Sequence, residues 1–308
     1  LIDMNDGETK RVAFESQQVL TYQDAYITLD ASDGYTLDNE YRIYGQYGKR
    51  IKVQLYSENE DQSQSTIFFI RSALEALSKR FSIDVKTKSE DLASTNYDLY
   101  IYDTFVPDQL PTDGAIWVFN PISSPALQLV VGGEIEGQFS VKANVSTTLD
   151  YKKIMKGIQP NGMEVTKYKK VNSYPQFEKI LSIGDDPILL TKDLGGQKIN
   201  VFTFDLAYST LPILVDFPFL VQNLFDYSLP STVEKQFYNT GTKLNIDPKL
   251  GAYRVFIERD GTETIYDEFP IDLDLKLPGT YTITQKFTDK PDDVYSFFVK
   301  VPKTESYK

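Results

Sequence analysis

Three polar side chains stand at positions where the functional groups of an open α/β sheet are usually found. Asp103 ends an apolar run that predicts a buried strand, and Asp205 ends a second run of this kind. Ser209 follows shortly after Asp205. Because ligands bind to such sheets at the carboxyl ends of the strands, these residues are the candidates for a pocket. Two carboxylates there would fit acid–base hydrolysis or an oxygen-ligated metal ion.

Each candidate also has a purely structural interpretation. Asp103 can be the polar residue with which a strand passes into a loop. Asp205 and Ser209 precede an apolar segment with helical spacing, where Asp or Ser side chains accept hydrogen bonds from the free N–H groups of a helix. Position in a fold is weak support for chemistry. We therefore predict no catalytic residue, no metal ligand and no cofactor. The structural interpretation is favoured for each residue, and a vestigial pocket at Asp103, Asp205 and Ser209 is the alternative.

The amino-acid composition removes most other catalytic chemistry. The chain of 308 residues contains no histidine and no cysteine. Ser-His-Asp and Cys-His catalysis are therefore excluded within this chain, as are zinc sites built from imidazole or thiolate groups. The 44 acidic and 32 basic residues give a net charge of −12, which argues against nucleic acid as a partner. The short basic stretch of Lys167, Lys169 and Lys170 is interpreted as a solvated face.

No apolar run reaches the roughly 18 residues that a membrane-spanning helix needs. The longest candidate, 211–229, is interrupted by acidic and amide side chains and by Pro218. We expect membrane attachment only through segments outside this chain. The sequence begins with Leu1 and shows no signal-peptide pattern, so we interpret it as part of a longer polypeptide.

The elements that would position the candidates alternate between strands and helices over residues 49–230. A helix is predicted from Ser65 to about 80 and a second over 211–227. Residues 125–180 contain polar strand-like pieces, such as 138–143, and an edge hairpin is expected among them. The predicted strands are 51–56, 83–87, 97–103, 115–120, 187–191 and 198–205. This order is typical of a parallel sheet flanked by helices, as in flavodoxin-like folds.

The two ends of the chain have all-β character. Runs 10–15 and 25–30 predict strands within residues 1–48, too few to complete a sandwich, so the rest of it is expected upstream. Residues 231–303 contain short, evenly spaced strands and an Asp260-Gly261 hairpin signal, which indicate an immunoglobulin-like sandwich. Residues 304–308 form a polar tail. The predicted fold class is therefore α/β plus all-β.

Three segments of the chain carry a family resemblance. They are D-G-Y-T-L-D-N-E-Y within 30–44; 97–103 with Leu110-Pro111, Gly114 and 118–121; and 204–206 with Ser209, Leu211-Pro212, Phe217-Pro218, Asn223-Leu224 and Leu229-Pro230. In order, they resemble the C-terminal region of BatA-like bacterial membrane proteins, which carry a von Willebrand factor A (VWA) domain.

The resemblance implies a β-sandwich followed by a class I glutamine-amidotransferase-like domain over residues 49–230. Amidotransferases use a cysteine nucleophile with a histidine partner, and neither residue occurs in this chain. The domain is therefore expected to be catalytically inert. The resemblance also implies a location on the extracytoplasmic side of the bacterial membrane, as the soluble part of an anchored protein.

The leading functional hypothesis is a non-enzymatic interaction or scaffold module. The resemblance implies a protein partner in a membrane-associated complex, linked to a MoxR-type ATPase. One alternative is a carboxylate- or metal-dependent hydrolase, which requires two acids about 5–9 Å apart in a cleft or a compact oxygen-ligand site. Another is an adhesin or glycan-binding protein, which requires a concave aromatic groove.

Overall fold

The computed structural model describes residues 8, 10–11, 24–28, 40–44, 51–58, 65–77, 81–88, 90–233, 235–246, 248–268, 271–288 and 291–302. These residues are mostly β-structure with few helices, in an α/β plus all-β arrangement. In this part of the chain no helix is long and apolar enough to cross a membrane. Most of the predicted strand 10–15 and the polar tail 304–308 lie outside the described residues.

The first described strands form a hairpin, β1 (Asp24–Thr28) with β2 (Glu40–Tyr44). The middle of the chain carries ten strands in the described residues. They are β3 (Ile51–Ser57), β4 (Phe81–Lys86), β5 (Leu99–Asp103), β6 (Ala115–Phe119), β7 (Val130–Ser140), β8 (Lys142–Ala143), β9 (Glu164–Ser173), β10 (Glu178–Ile183), β11 (Asp186–Leu194) and β12 (Gln197–Phe202).

Eight of these strands form one sheet, in the order β4-β3-β5-β6-β12-β11-β10-β8. The neighbours from β4 to β12 are parallel, as predicted, but β11, β10 and β8 are added in antiparallel fashion. The prediction of a parallel sheet was therefore wrong for this half. The reason is local: Gly184 and the pair Gly195-Gly196 have positive φ in two-residue turns, which join antiparallel neighbours.

Residues 138–143, predicted to be strand-like, do not form a single strand. They divide between the end of β7 and the short edge strand β8. Strand β7 pairs instead with β9 in a separate two-stranded ribbon. The partners of β7 and β8 lie further along the chain, and a local turn signal cannot indicate such pairing.

Three α-helices occur in the described residues: α1 (Thr66–Leu77), α2 (Leu149–Ile154) and α3 (Asp216–Ser228). Apolar side chains of all three join one core with one face of the large sheet. The opposite face carries Tyr100, Tyr102, Ile116 and Val118, and the residues packed on it come from loops and from β7 and β9. In the described part of the chain the helical cover is thus confined to one face.

The second helix begins later than predicted. Residues Leu211–Ile213 form a short 3-10 turn, Leu214 is extended, and α3 starts at Asp216. Pro218 explains the difference, because a helix starting at 211 would need an N–H at Pro218 and would press its ring against the carbonyl of Leu214. Proline is tolerated only in the first turn, where Pro218 now lies. The first helix begins directly after Ser65, as predicted.

A buried polar contact ties the sheet to α3. The indole Nε1 of Trp117 donates to Ser228 Oγ over 2.8 Å, and Asn200 Nδ2 donates to the same oxygen over 3.0 Å. Trp117 lies on β6, Asn200 on β12 and Ser228 at the end of the helix, and both Trp117 and Asn200 have no exposed surface. One hydroxyl therefore satisfies two buried donors from neighbouring strands.

The C-terminal region contains two facing sheets. Its strands are β13 (Phe237–Asn239), β14 (Thr242–Ile246), β15 (Arg254–Arg259), β16 (Thr262–Tyr266), β17 (Ile271–Leu275), β18 (Gly279–Lys286) and β19 (Asp293–Lys300). Five pair in the order β13-β19-β18-β15-β16, and β14 pairs with β17. Apolar residues of both sheets share one core. The Asp260-Gly261 hairpin is confirmed, with positive φ at both residues.

The N-terminal hairpin packs on this C-terminal sheet. The ring of Tyr41 stacks on Phe237 with centroids 5.0 Å apart and meets Phe298 edge-on at 6.2 Å. Lys300 Nζ lies 5.9 Å from the centre of the Tyr41 ring. The hairpin therefore gains part of its support from strands at the other end of the chain.

Candidate functional site

The carboxyl ends of the parallel strands β3, β5, β6 and β12 meet at one edge of the large sheet. Polar side chains follow or end each strand there: Ser57, Asp103, Thr104, Asn120, Thr203 and Asp205. This edge therefore contains both of the acids that the sequence analysis selected.

Asp103 is held from two sides. Ser57 Oγ donates to its Oδ2 over 2.8 Å, and Thr104 Oγ1 donates to its Oδ1 over 3.3 Å. The residue has no exposed surface. Its carboxyl group is therefore separated from solvent, with hydroxyl groups taking the place of water as hydrogen-bond donors.

Burial raises the pKa of Asp103 to about 6. This pKa also includes smaller effects: the hydrogen bonds from Ser57 and Thr104 and the positive charge of Lys169 lower it, and the negative charge of Asp205 raises it. The two acids are thus close enough to interact electrostatically, as expected from their positions at the ends of strands in one sheet. Such a pair can hold a proton near neutral pH.

Lys169 was not predicted to belong to this site. Its ammonium group is half-buried and donates to the backbone oxygen of Asn120 over 3.3 Å. Burial lowers its pKa. The interpretation of Lys167, Lys169 and Lys170 as a solvated face was therefore wrong for Lys169. Side chains alternate along β9, so Lys169 lies on the other face of the strand from the exposed Lys170. Its approach to Asp103 depends on how β9 packs in the folded chain, which this alternation does not indicate.

Asp205 belongs to a compact capping network. Thr66 Oγ1 donates to Asp205 Oδ1 over 2.8 Å, and the backbone N–H of Ala207 donates to the same oxygen over 2.9 Å. The N–H of Leu206 in turn donates to Thr66 Oγ1 over 3.0 Å. Asp205 thus caps the 3-10 turn Leu206–Tyr208 and joins it to the start of α1. The sequence indicated a cap, but of the later helix.

Ser209 has a different environment from the two acids. Its Oγ donates to the backbone oxygen of Leu206 over 2.9 Å, and its N–H donates to the same oxygen over 3.1 Å. The hydroxyl closes the 3-10 turn that Asp205 opens. Asp103 and Asp205 therefore lie together, whereas the hydroxyl of Ser209 is bonded within its own turn.

Two residues at this edge have strained backbones. Thr104 and Asn120 have φ angles of 57° and 48°, in the left-handed region that favours glycine. Asn120 Nδ2 donates to Thr104 Oγ1 over 3.1 Å, and the Thr104 N–H donates to the Phe119 carbonyl over 2.9 Å. Conformations of this kind cost about 1–3 kcal/mol each and are maintained by surrounding contacts. Here the contacts link the ends of β5 and β6 to one another.

Asp103 and Asp205 alone are too few ligands for a metal site. In the part of the chain that the structure describes, no group of three or more acidic side chains is placed to hold a metal ion. Asp103 is fully buried and Asp205 nearly so. A small molecule would reach them only after the polar network had opened.

We predict that Thr66→Val destabilises the protein. The substitution preserves the shape of the side chain but removes one of the two donors to Asp205 Oδ1 and leaves the Leu206 N–H without its acceptor, which should cost roughly 1–3 kcal/mol. Urea denaturation followed by circular dichroism measures the change. Thr262→Val is the control, because Thr262 is exposed on the edge strand β16. An equal effect of both substitutions would contradict the prediction.

No protein-family model matches the sequence, and no curated protein matches it. Solved structures with a similar arrangement include the Salmonella typhimurium cytoplasmic proteins STM1381 and STM3548. STM1381 is 12% identical, with a TM-score of 0.44, over 58% of this chain and 100% of its own length. STM3548 is 11% identical, with a TM-score of 0.45, over 58% of this chain and 99% of its own length. A ThuA-like protein from Parabacteroides merdae is 12% identical, with a TM-score of 0.41, over 61% of this chain and 94% of its own length.

Proposed function

We propose that this chain is a non-enzymatic protein-interaction module from the extracytoplasmic part of a membrane-anchored bacterial protein. In this proposal residues 49–230 are an amidotransferase-like domain without chemistry, and residues 231–303 are an immunoglobulin-like sandwich. The protein to which the chain belongs would be BatA-like, with its VWA domain and membrane segments elsewhere. Its partner would be another protein of an envelope complex associated with a MoxR-type ATPase.

One observation carries the non-enzymatic part of the proposal. Both acids at the ligand-binding edge of the sheet are buried, and their oxygens accept hydrogen bonds from Ser57, Thr66, Thr104 and the Ala207 N–H. These bonds join strand ends and the start of a helix. The acids thus hold strand ends and the start of a helix together, whereas catalytic groups would face a cleft.

The interaction part of the proposal is supported by an exposed apolar segment at the start of α3. Ile213, Val215 and Phe219 are 83%, 81% and 60% exposed. Large apolar groups rarely remain so exposed side by side unless they serve a binding surface. The excess of acidic residues keeps the rest of the surface soluble.

Photo-crosslinking in cells tests this proposal. The gene would be expressed in its own host with a photo-reactive residue at Val215, and with the same residue at Val294 as an exposed control in the C-terminal region. We expect a specific crosslinked protein for position 215 in the membrane fraction and none for position 294. Recovery of the protein from the cytosol, or the absence of any crosslink at both positions, would contradict the proposal.

A second candidate function is a hydrolase that uses the two carboxylates. The observation favouring it is the raised pKa of Asp103, about 6, beside the charge of Asp205, since acid–base pairs are built from carboxyl groups with different environments. Turnover of ester, phosphoester or glycoside substrates, lost in both Asp103→Asn and Asp205→Asn, would support this candidate. The interaction module predicts no turnover with any of them.

A further inference from the structure

A depression of about 300 Å³ lies at the edge of the five-stranded C-terminal sheet. It is lined by Lys235, Phe237, Tyr238, Asn239, Thr242 and Lys300. Phe237 provides an aromatic floor that Tyr41 extends by ring stacking. The amide of Asn239 and the hydroxyl of Thr242 add hydrogen-bonding groups. The lining thus combines an apolar platform with two ammonium groups and neutral donors.

This depression is cationic on a strongly acidic protein. Among the described residues, no carboxylate forms an ion pair with Lys235 or Lys300, although many other lysines have such partners. The chain as a whole carries a net charge of −12. Two lysines at one concave site that pair with no carboxylate of the described residues favour an anionic ligand, because electrostatic complementarity selects partners of opposite charge.

The depression adjoins the outer edge of β13, the last strand of its sheet. The Gln236 carbonyl accepts from Phe298 N–H, and the Thr240 N–H donates to the Lys300 carbonyl, each over 2.9 Å. In a strand, alternate residues direct their backbone groups to opposite sides. The backbone groups of Phe237 and Asn239 therefore point away from β19, and no described strand pairs with them.

We propose that β13 is a docking edge for an extended acidic segment of a partner protein. The segment would add a strand beside Phe237 and Asn239, and one of its Asp or Glu side chains would lie between the ammonium groups of Lys235 and Lys300. Strand addition supplies backbone hydrogen bonds, and the pocket beside the edge supplies selectivity for charge. The opposite edge, β16, carries Glu263 and lacks such a lysine pair. The proposal rests on the proposed interaction function and specifies its partner.

The first measurement uses a fluorescently labelled peptide of alternating glutamate and valine. In an extended strand its glutamates share one face, which matches the arrangement of the depression. Fluorescence anisotropy would be compared with a glutamine–valine peptide of the same length. We expect saturable binding of the acidic peptide only, weakened by high salt because the site is exposed. Equal behaviour of the two peptides would overturn the proposal.

Charge-reversal variants place the binding at this edge. Lys235→Glu/Lys300→Glu should lower the affinity by about tenfold or more, because two attractive charges become repulsive. Lys156→Glu/Lys170→Glu is the matched control, since both lysines are exposed elsewhere and the net charge changes equally. Circular dichroism establishes that both variants are folded. The same loss of affinity in both variants would mean that the depression is not the site.

A backbone-methylated peptide tests the strand addition itself. Methyl groups on alternate amides remove the donors that would pair with the edge but leave every charge in place, so binding should fall about tenfold or more. Undiminished binding would overturn strand addition. Failure of this site is distinguishable from failure of the general function, because crosslinking at Val215 reports on a different surface.

Discussion

Asp103→Asn is expected to stabilise the protein at neutral pH and to remove a loss of stability that the wild-type protein shows above pH 4. The pKa of Asp103 is raised from its ordinary value of 3.8 to about 6 by burial. A difference of about two pKa units, at about 1.4 kcal/mol each, corresponds to roughly 3 kcal/mol.

The sign follows from proton binding. Between pH 4 and 6 the folded protein holds a proton on Asp103 that the unfolded chain has released, so stability falls as pH rises through this range. The contribution is fully present below pH 4 and is lost above pH 6. Asparagine keeps the size of the side chain and can bond to Ser57 and Thr104, whose hydroxyl groups can donate or accept. It carries no charge at any of these pH values.

Urea denaturation at pH 4, 5, 6, 7 and 8 measures this effect as the difference in the free energy of unfolding between Asp103→Asn and the wild-type protein. Asp108→Asn is the control, because Asp108 is exposed; its difference from wild type should stay nearly constant. A constant difference for Asp103→Asn as well would show that burial does not penalise this carboxylate.

Trp117→Ala should lower the free energy of unfolding by about 3–5 kcal/mol, a larger effect than we expect for the other substitutions. The side chain is fully buried between the large sheet and the helices. Its removal therefore leaves a cavity between the sheet and the helices that pack on it. Trp117→Phe should cost less, about 1–2 kcal/mol, because most of the volume stays and Ser228 Oγ still receives a hydrogen bond from Asn200.

Circular dichroism is the appropriate measurement, since Trp117 is the one tryptophan in the chain and its fluorescence is lost with it. Phe219→Ala provides an exposed aromatic control, for which a change below about 0.5 kcal/mol is expected. If Trp117→Phe were as destabilising as Trp117→Ala, the indole hydrogen bond rather than packing would dominate.

Strands and helices with strong local signals could be predicted from the sequence. Strands β5 and β6 are continuous apolar runs, and both are buried along their whole length. The sequence signals for the start of α1 after Ser65 and for the Asp260-Gly261 hairpin were likewise local. The late start of α3 could also have been read from the sequence, because Pro218 cannot follow a full helical turn.

The remainder depended on pairing between distant residues. The pairing of β8 with β10 and the ribbon of β7 and β9 follow from which strands meet, and side-chain alternation is the same for either direction. The other antiparallel pairs of the large sheet are local, because two-residue glycine turns join their strands. For the candidate site, strand ends indicated where Asp103 and Asp205 would lie. They did not indicate the neighbours of these acids: Thr66, which donates to Asp205, lies on a helix far away in sequence, and Lys169, whose charge acts on Asp103, comes from the ribbon.

The stacking of Tyr41 on Phe237 and Phe298 has a consequence for the order of folding. A two-stranded hairpin is marginal by itself, and the aromatic contacts of Tyr41 are made with Phe237 and Phe298, which lie far along the chain. The hairpin of β1 and β2 therefore gains this support only after both of these residues have been synthesised. Contacts of such long sequence separation slow folding, and until they form, the hairpin lacks the aromatic contacts of Tyr41. During this interval its strand edges are open to chaperones or neighbouring nascent chains.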